Sequence, residues 1–386
     1  MALKIQRVIH LAILVFAGTG PVLASEPQAV PSPGETMRLE RLAESYKRPF
    51  ADNRSLPGWL RQLEVSALLE IEASHVSPYT GESTDDLILA TAELGLISQL
   101  NDWLKAGVSA LYEQYETNLE VDTAYLKLAN AEASPFSLTG GQLYVPFGMY
   151  ETNLVSDPLT LELGETRQTA LQFGVEQSLF SGSLYVFKGD NKVKSEDRIG
   201  GWGAMLAVGQ EDKDRAWSIG TGYINDLGDS DTLQDVINDQ RVSAAELDPG
   251  ISIDPTDRTP GWTVNALAHL GPLSLYAEYL SATEDFDPLS LGFKEHGARP
   301  AAWNLEVGYS FSLYGHETTA AVAYQGTREA LALELPRERW LLGWRIGLIE
   351  RVSLGFEWAH DRDYPARDGG TGKSAETFTA QLAIEL

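Results

Sequence analysis

From about Arg61 to Leu386 apolar side chains recur at every second residue, and only turns and loops interrupt the pattern. Trp303, Leu305, Val307, Tyr309, Phe311 and Leu313 alternate with Asn304, Glu306, Gly308, Ser310 and Ser312. Trp340, Leu342, Trp344, Ile346 and Leu348 do the same, as do Val352, Leu354, Phe356 and Trp358. A period of two belongs to β-strands, whose successive side chains point to opposite faces. The segments run 61–74, 84–100, 102–116, 119–132, 136–147, 167–180, 183–190, 200–211, 214–227, 260–271, 273–284, 300–314, 316–327, 336–349, 351–363 and 374–386. Many exceed the roughly 5–6 residues of soluble strands and match the roughly 9–11 that a tilted strand needs to cross a bilayer. The connections divide by side. Tight turns are read at Asn101-Asp102, Ser181-Gly182, Asp212-Lys213, Gly271-Pro272, Gly315 and Glu350. Long loops are read at 78–83, 148–166, 191–198, 228–259, 285–299, 328–335 and 365–373. Short turns at one end and long loops at the other mark an up-and-down transmembrane barrel. The expected fold is all-β: an antiparallel barrel of about sixteen strands, closed because hydrocarbon satisfies no open edge. A barrel of that size is expected to enclose an aqueous channel.

Tryptophans near the strand ends (Trp103, Trp202, Trp217, Trp262, Trp303, Trp340, Trp358) fit an interfacial girdle. The last strand, apolar at Phe378, Ala380, Leu382, Ile384 and Leu386, resembles the C-terminal signal by which the barrel-assembly machinery takes up outer-membrane proteins. Lys4 and Arg7, the apolar run Val8–Ala17 and Val22-Leu23-Ala24 read as a signal peptide over 1–24, so the protein is expected to be exported to the outer membrane. No stretch approaches the length of a spanning helix. Residues 25–60 read as a periplasmic linker with Pro27, Pro31, Pro33 and Gly34 and a possible short helix over Glu35–Lys47.

The chain has no cysteine and a net charge of −26; without the signal's two basic residues it becomes 27 − 55 = −28. Such a balance argues against nucleic acid and suits a surface that attracts cations. His75, His269, His296, His316 and His360 have no metal-ligand spacing, and neither a nucleophile elbow nor a phosphate loop is present. No catalytic residue, cofactor or metal site is expected, and the protein is read as a channel, not an enzyme. By parity the lumen-facing residues are Glu64, Glu70, Glu72, Glu93, Lys105, Asn265, Asn304, Glu306, Arg345 and Glu357.

One connection is unlike a solvated tip. After Leu143, Val145 and Phe147, Pro146 and Gly148 end the strand. The following stretch interleaves Glu151, Asp157, Glu162 and Glu165 with Leu154, Val155, Leu159, Leu161 and Leu163. So many leucines predict an ordered loop folding back on the protein. Glu151, Asn153, Asp157, Glu162 and Glu165 are its candidate constriction or ligand residues, with Arg345, Lys105 and Glu306 as opposing lumen charges. The acidic stretch 226–257 reads as a solvated outer loop.

The run Pro146-Phe147-Gly148-Met149-Tyr150-Glu151-Thr152-Asn153-Leu154-Val155-Ser156-Asp157-Pro158-Leu159-Thr160-Leu161-Glu162-Leu163-Gly164-Glu165-Thr166 resembles the signature of the LbtU-type siderophore porins of Gram-negative outer membranes. That resemblance implies a sixteen-stranded barrel taking part in uptake of a ferric siderophore without energy coupling. The shorter segment ahead of the barrel departs from the helical N-terminal segment of such proteins. The alternative is a general, weakly cation-selective diffusion porin for small hydrophilic solutes. Either would contact outer-membrane lipid and lipopolysaccharide.

Overall fold

The computed structural model describes residues 63–386 except 192, 194–197, 213, 214, 249 and 256. The expected signal segment and linker lie outside the described residues. The strands are β1 Leu63–Ser77, β2 Thr84–Gln99, β3 Leu104–Glu113, β4 Thr117–Ala129, β5 Phe136–Tyr144, β6 Arg167–Gln177, β7 Phe180–Phe187, β8 Gly201–Asp212 and β9 Arg215–Ile224. They continue as β10 Gly261–Leu270, β11 Leu273–Ala282, β12 Gly292–Phe293, β13 His296–Gly297, β14 Ala301–Leu313, β15 His316–Arg328, β16 Glu338–Ile349, β17 Val352–Arg362 and β18 Ser374–Glu385. Sixteen of them form one closed antiparallel barrel, while β12 and β13 make a small hairpin in an outer loop. β1 closes the ring on β18, from Leu68 opposite Glu385 to Ser77 opposite Glu376. Ala67 and Leu386 complete the seam by exchanging backbone hydrogen bonds of 3.0 and 2.8 Å.

The pleat sorts the side chains as the alternation requires. On β14, Leu305 is 53% exposed and Glu306 only 3%. Leu69, Ile71, Leu94, Val108, Leu126, Leu171, Leu206, Ile219, Val264, Leu342 and Phe356 are likewise exposed on the outer face. Their neighbours along the strands, among them Glu93, Ser109, Thr139, Asn265, Asn304 and Gln381, are buried inside. An apolar exterior around a polar interior is the inversion that lipid imposes on a barrel. At the end that carries the long loops, Trp202 lies against Tyr223, Trp262 against Tyr279 and Trp340 against Tyr324, forming an aromatic belt.

Three readings need correction, and one strand carries an irregularity. The turn placed at Ser181-Gly182 is three residues earlier, at 178–179 between β6 and β7, and Ser181 and Gly182 pair within β7. The division of loop lengths fails at 114–116, a tight turn at the long-loop end. β4 changes phase at Asp122-Thr123. Val108 pairs with Ala124, but Ala110 pairs with Val121, so a β-bulge turns both Asp122 and Thr123 inward. Ser109 Oγ bonds both of them, at 3.1 and 2.8 Å.

The third correction concerns 226–257. It is no solvated tip, because it holds the helix α2, Asp231–Leu247, whose Leu233, Ile237 and Arg241 are buried. These positions recur every four residues and lay one stripe on the protein. Leu227, Leu233 and Ile237 join a continuous apolar core with Leu143, Val145, Phe147, Leu159, Leu163, Phe187, Ile224 and Leu280. The outer part of the lumen is thus partly filled by packed side chains, to which α2 contributes besides the insert.

Candidate functional site

The 145–166 connection leaves the wall at once. Val145 N still bonds Thr166 O at 2.9 Å, and then Pro146 offers no donor. Tyr150 follows with φ +56°, a left-handed turn unusual for a bulky residue, and its ring lies over Gly148, where any side chain would collide with it. From there the insert runs across the inside of the barrel, since a segment rooted between β5 and β6 reaches β11, β14 and β17 only that way.

Three wall glutamates receive it in sequence. Glu278 on β11 accepts from Met149 N (2.7 Å), Tyr150 N (3.2 Å) and, from the returning limb, Thr160 Oγ1 (2.8 Å). Glu306 on β14 accepts from Thr152 Oγ1 (2.6 Å), Asn153 N (2.7 Å) and Asn153 Nδ2 (2.7 Å). Glu357 on β17 accepts from Val155 N (2.7 Å), Ser156 N (3.1 Å) and Ser156 Oγ. The docking sites thus advance by three insert residues per carboxylate. Hydrogen bonds to a charged acceptor contribute about 1.5–3 kcal/mol each, so each clamp offsets part of the entropy cost of ordering the insert. The Thr152 hydroxyl also accepts from Leu154 N at 3.0 Å, fixing the local turn.

The wall beneath is smoothed to fit. Leu154 is buried among Ala321, Ala323, Leu341 and Ala359. A Cβ at Gly343 would strike Leu154, one at Gly308 would strike Asn153, and one at Gly222 would strike the Phe147 carbonyl. The polar wall continues around the ring, because Asn265, Glu278, Asn304, Gln325, Arg339 and Asp361 are successive register partners on β10, β11, β14, β15, β16 and β17. Gln325 Oε1 accepts from Leu159 N at 3.2 Å, and Arg339 grips Asp361 at 2.7 and 2.8 Å.

The insert then turns through a short helix, α1, Leu159–Gly164. Beyond it Asp231 N donates to Glu165 O at 2.9 Å, and Arg167 N donates to Asp231 Oδ1 at 3.1 Å, tying the insert to α2. The Glu162 carboxyl is held above its ordinary range, by burial first, then by Asp157 and Glu116, with Arg339 and a Thr232 hydrogen bond opposing. Glu116, on the turn between β3 and β4, is raised by burial and by Glu113 and Asp157. Asp157 therefore lies within electrostatic reach of an acid on the insert and of an acid on the facing wall. The inward faces of β1 and β2 carry Glu70, Glu72 and Glu93, and Glu72 lies within electrostatic reach of Asp157.

The residues singled out from the sequence divide accordingly. Glu306 and Glu357 are clamps beneath the insert. Arg345 reaches the insert through Nη2 at 3.4 Å from Leu154 O. Lys105 lies at the turn end of β3, in register with Gln99 and Lys127. Asn153 is a docking residue bonded to Glu306 and, at 3.0 Å, to Ser274 Oγ. Asp157 is exposed, Glu151 and Glu162 are half-buried, and Glu165 caps α1. Glu278 was missed, although its place on the inward phase of β11 with Tyr276 and Leu280 was a signal available in the sequence. Among the described residues no group of acidic or histidine side chains is arranged to hold a metal.

No protein-family model matches the chain. It is 28% identical over 349 residues to the UPF0422 protein lpp3030 of Legionella pneumophila strain Paris, covering 83% of this chain. It is 27% identical over 321 residues to a UPF0422 protein of Coxiella burnetii, covering 80% of this chain. The chain spans 66% of the length of these curated relatives. Among solved structures, an anion-selective porin from Comamonas acidovorans superposes with a TM-score of 0.58 at 12% identity, over 84% of this chain and 99% of that one. OmpF of Salmonella typhi, in complex with daunomycin, gives 0.56 at 13% identity over 84% and 97%. The DcaP channel of Acinetobacter baumannii gives 0.55 at 12% over 83% and 97%. The chain has the fold of a sixteen-stranded porin.

Proposed function

We propose that the protein is a passive diffusion channel of the outer membrane in which the docked insert sets the aperture and acidic groups favour small hydrophilic cations. The observation that carries this reading is the insert itself, clamped by Glu278, Glu306 and Glu357 while Asp157 remains exposed near Glu162 and Glu116. Rings of one charge select permeant ions of the other. The anion selectivity of the Comamonas porin does not transfer to this chain at 12% identity.

A second reading, uptake of a ferric siderophore without energy coupling, is favoured by the resemblance of the 146–166 run to siderophore porins. Much of that run is occupied in docking, since Met149, Tyr150, Thr152, Asn153, Val155, Ser156, Leu159 and Thr160 all donate to the wall. The motif thus supports a common architecture more directly than a common ligand. Planar-bilayer recording of the refolded barrel separates the two. A reversal potential favouring K⁺ in a KCl gradient, with conductance indifferent to ferric siderophores, supports the cation-preferring channel. Saturable block by one siderophore supports the second reading, and a barrel that does not conduct would refute both.

A further inference from the structure

The large outer loop is fastened to the rest of the mouth at a junction whose charges do not balance. Asp226 and Asp229 sit at its root, 1% and 2% exposed. Asp226 Oδ1 accepts from Gly228 N at 3.1 Å and from Thr259 N at 3.3 Å, whereas its Oδ2 has no hydrogen-bond partner. The nearest cation, Arg258, holds its Nε 4.0 Å from that oxygen, and this Nε is itself without a hydrogen bond. Asp229 Oδ1 accepts from Asn191 N of the 188–200 loop at 2.9 Å. Among the described residues, the charged groups acting on the pair are Asp190 from the 188–200 loop and Arg258 from the returning limb, while Arg167, Asp235 and Asp190 act on Asp231. Among these groups acids outnumber bases.

The junction is mechanically connected to the aperture. Two residues beyond Asp229, Asp231 donates its N–H to Glu165 and accepts from Arg167 N, at the two ends of the turn that closes the insert. Leu227 and Leu233 share an apolar core with Leu159 and Leu163 of α1.

We propose that Asp226 and Asp229 form a proton-operated latch, which holds the large outer loop and the docked insert together while protonated and loosens both when the pair ionises. Geometry supplies the reason: two carboxylates share one buried junction where, among the described residues, one guanidinium stands 4.0 Å from Asp226, so ionising both buries more charge than that cation offsets. Burial, then the charge of Asp229, pushes Asp226 up to about 8. Burial first pushes Asp229 and Asp231 up to about 6. All three shifts have one sign. The docked state holds more protons than the loosened one between the ordinary aspartate range and about 8, so its stability falls as pH rises through that window.

The test is hydrogen exchange of the refolded, detergent-solubilised barrel at pH 5.5 and 8.5, corrected for intrinsic exchange. Exchange reads the latch whether or not the pore selects cations, so its outcome is separate from that of the function proposed above. In the wild type, peptides covering 225–247 and 149–164 should exchange about tenfold or more faster at the higher pH, while strand peptides stay unchanged. The double variant Asp226→Asn, Asp229→Asn keeps the acceptors for Gly228, Thr259 and Asn191 and should remain protected at both pH values. Should that variant fold poorly, Arg258→Gln serves, since loss of the nearest cation penalises the ionised docked junction further and should make these peptides exchange faster than wild type at pH 8.5 while leaving pH 5.5 unchanged. Exchange indifferent to pH in the wild type, an equal pH response in the double variant, or exchange at pH 8.5 in Arg258→Gln no faster than wild type would overturn the proposal.

Discussion

Replacing Glu306 by alanine removes the middle clamp and leaves the barrel ladder intact, because β14 keeps its backbone pairing with β11 and β15. The substitution deprives Thr152 Oγ1, Asn153 N and Asn153 Nδ2 of an acceptor at 2.6, 2.7 and 2.7 Å. Each such bond to a charged acceptor is worth about 1.5–3 kcal/mol. The insert is only half-buried here, so lumenal water recovers part of this, and a net loss of about 3 kcal/mol is reasonable. At roughly 1.4 kcal/mol per factor of ten, the docked-to-released ratio falls by about two orders of magnitude. Hydrogen exchange of peptides covering 149–156 should rise by about that factor, and single-channel records should show excursions to larger conductance. Glu306→Gln retains one carbonyl for the Asn153 pair and should lose only about 1 kcal/mol. If Glu306→Ala left both the exchange and the conductance of the wild type unchanged, the clamp would be a geometric coincidence and the reasoning would fail.

Other perturbations test other parts of the site. Gly343→Val places a side chain where Leu154 lies and should displace the insert, giving an enlarged conductance like that of Glu306→Ala; an unchanged pore would contradict the fitted wall. Asp157→Asn with Glu162→Gln should move the reversal potential in a KCl gradient toward zero, and no movement would place the selective charges elsewhere. Glu162 and Glu116 titrate above the ordinary glutamate range, so cation preference should begin to fade while the pH is still above about 4.5, and the double variant should flatten that profile. Arg241 is almost fully buried and binds Ser290 Oγ at 2.7 Å, the Ser252 and Asp254 carbonyls at 2.9 Å, and the Asp287 carboxylate. Arg241→Met should cost the outer loops about 3–5 kcal/mol and appear as faster limited proteolysis of 225–300, with the strands still protected.

The strands were legible because their pattern is local. A residue such as Leu305 or Trp340 declares its face through its immediate neighbours, and sixteen such segments with sided connections admit one closed sheet. Boundaries were less secure: Ser181-Gly182 looks like a turn by composition, but pairing with Val175 and Glu176 holds it inside β7. The α2 stripe of Leu233, Ile237 and Arg241 was visible at helical spacing and was obscured by the aspartates around it. The insert shows the limit most clearly. Its leucines announced that it would fold back, yet nothing within 146–166 names Glu278, Glu306 and Glu357, which lie more than a hundred residues away. Those carboxylates become neighbours only when β11, β14 and β17 take their places in a closed ring around one lumen. The sequence alone determined a chain of alternating strands that must close in lipid, because pleat and hydrophobicity act residue by residue. Closure alone decided which acids clamp the insert, which stay exposed beside it, and that part of the lumen is packed, because these depend on distances across the barrel.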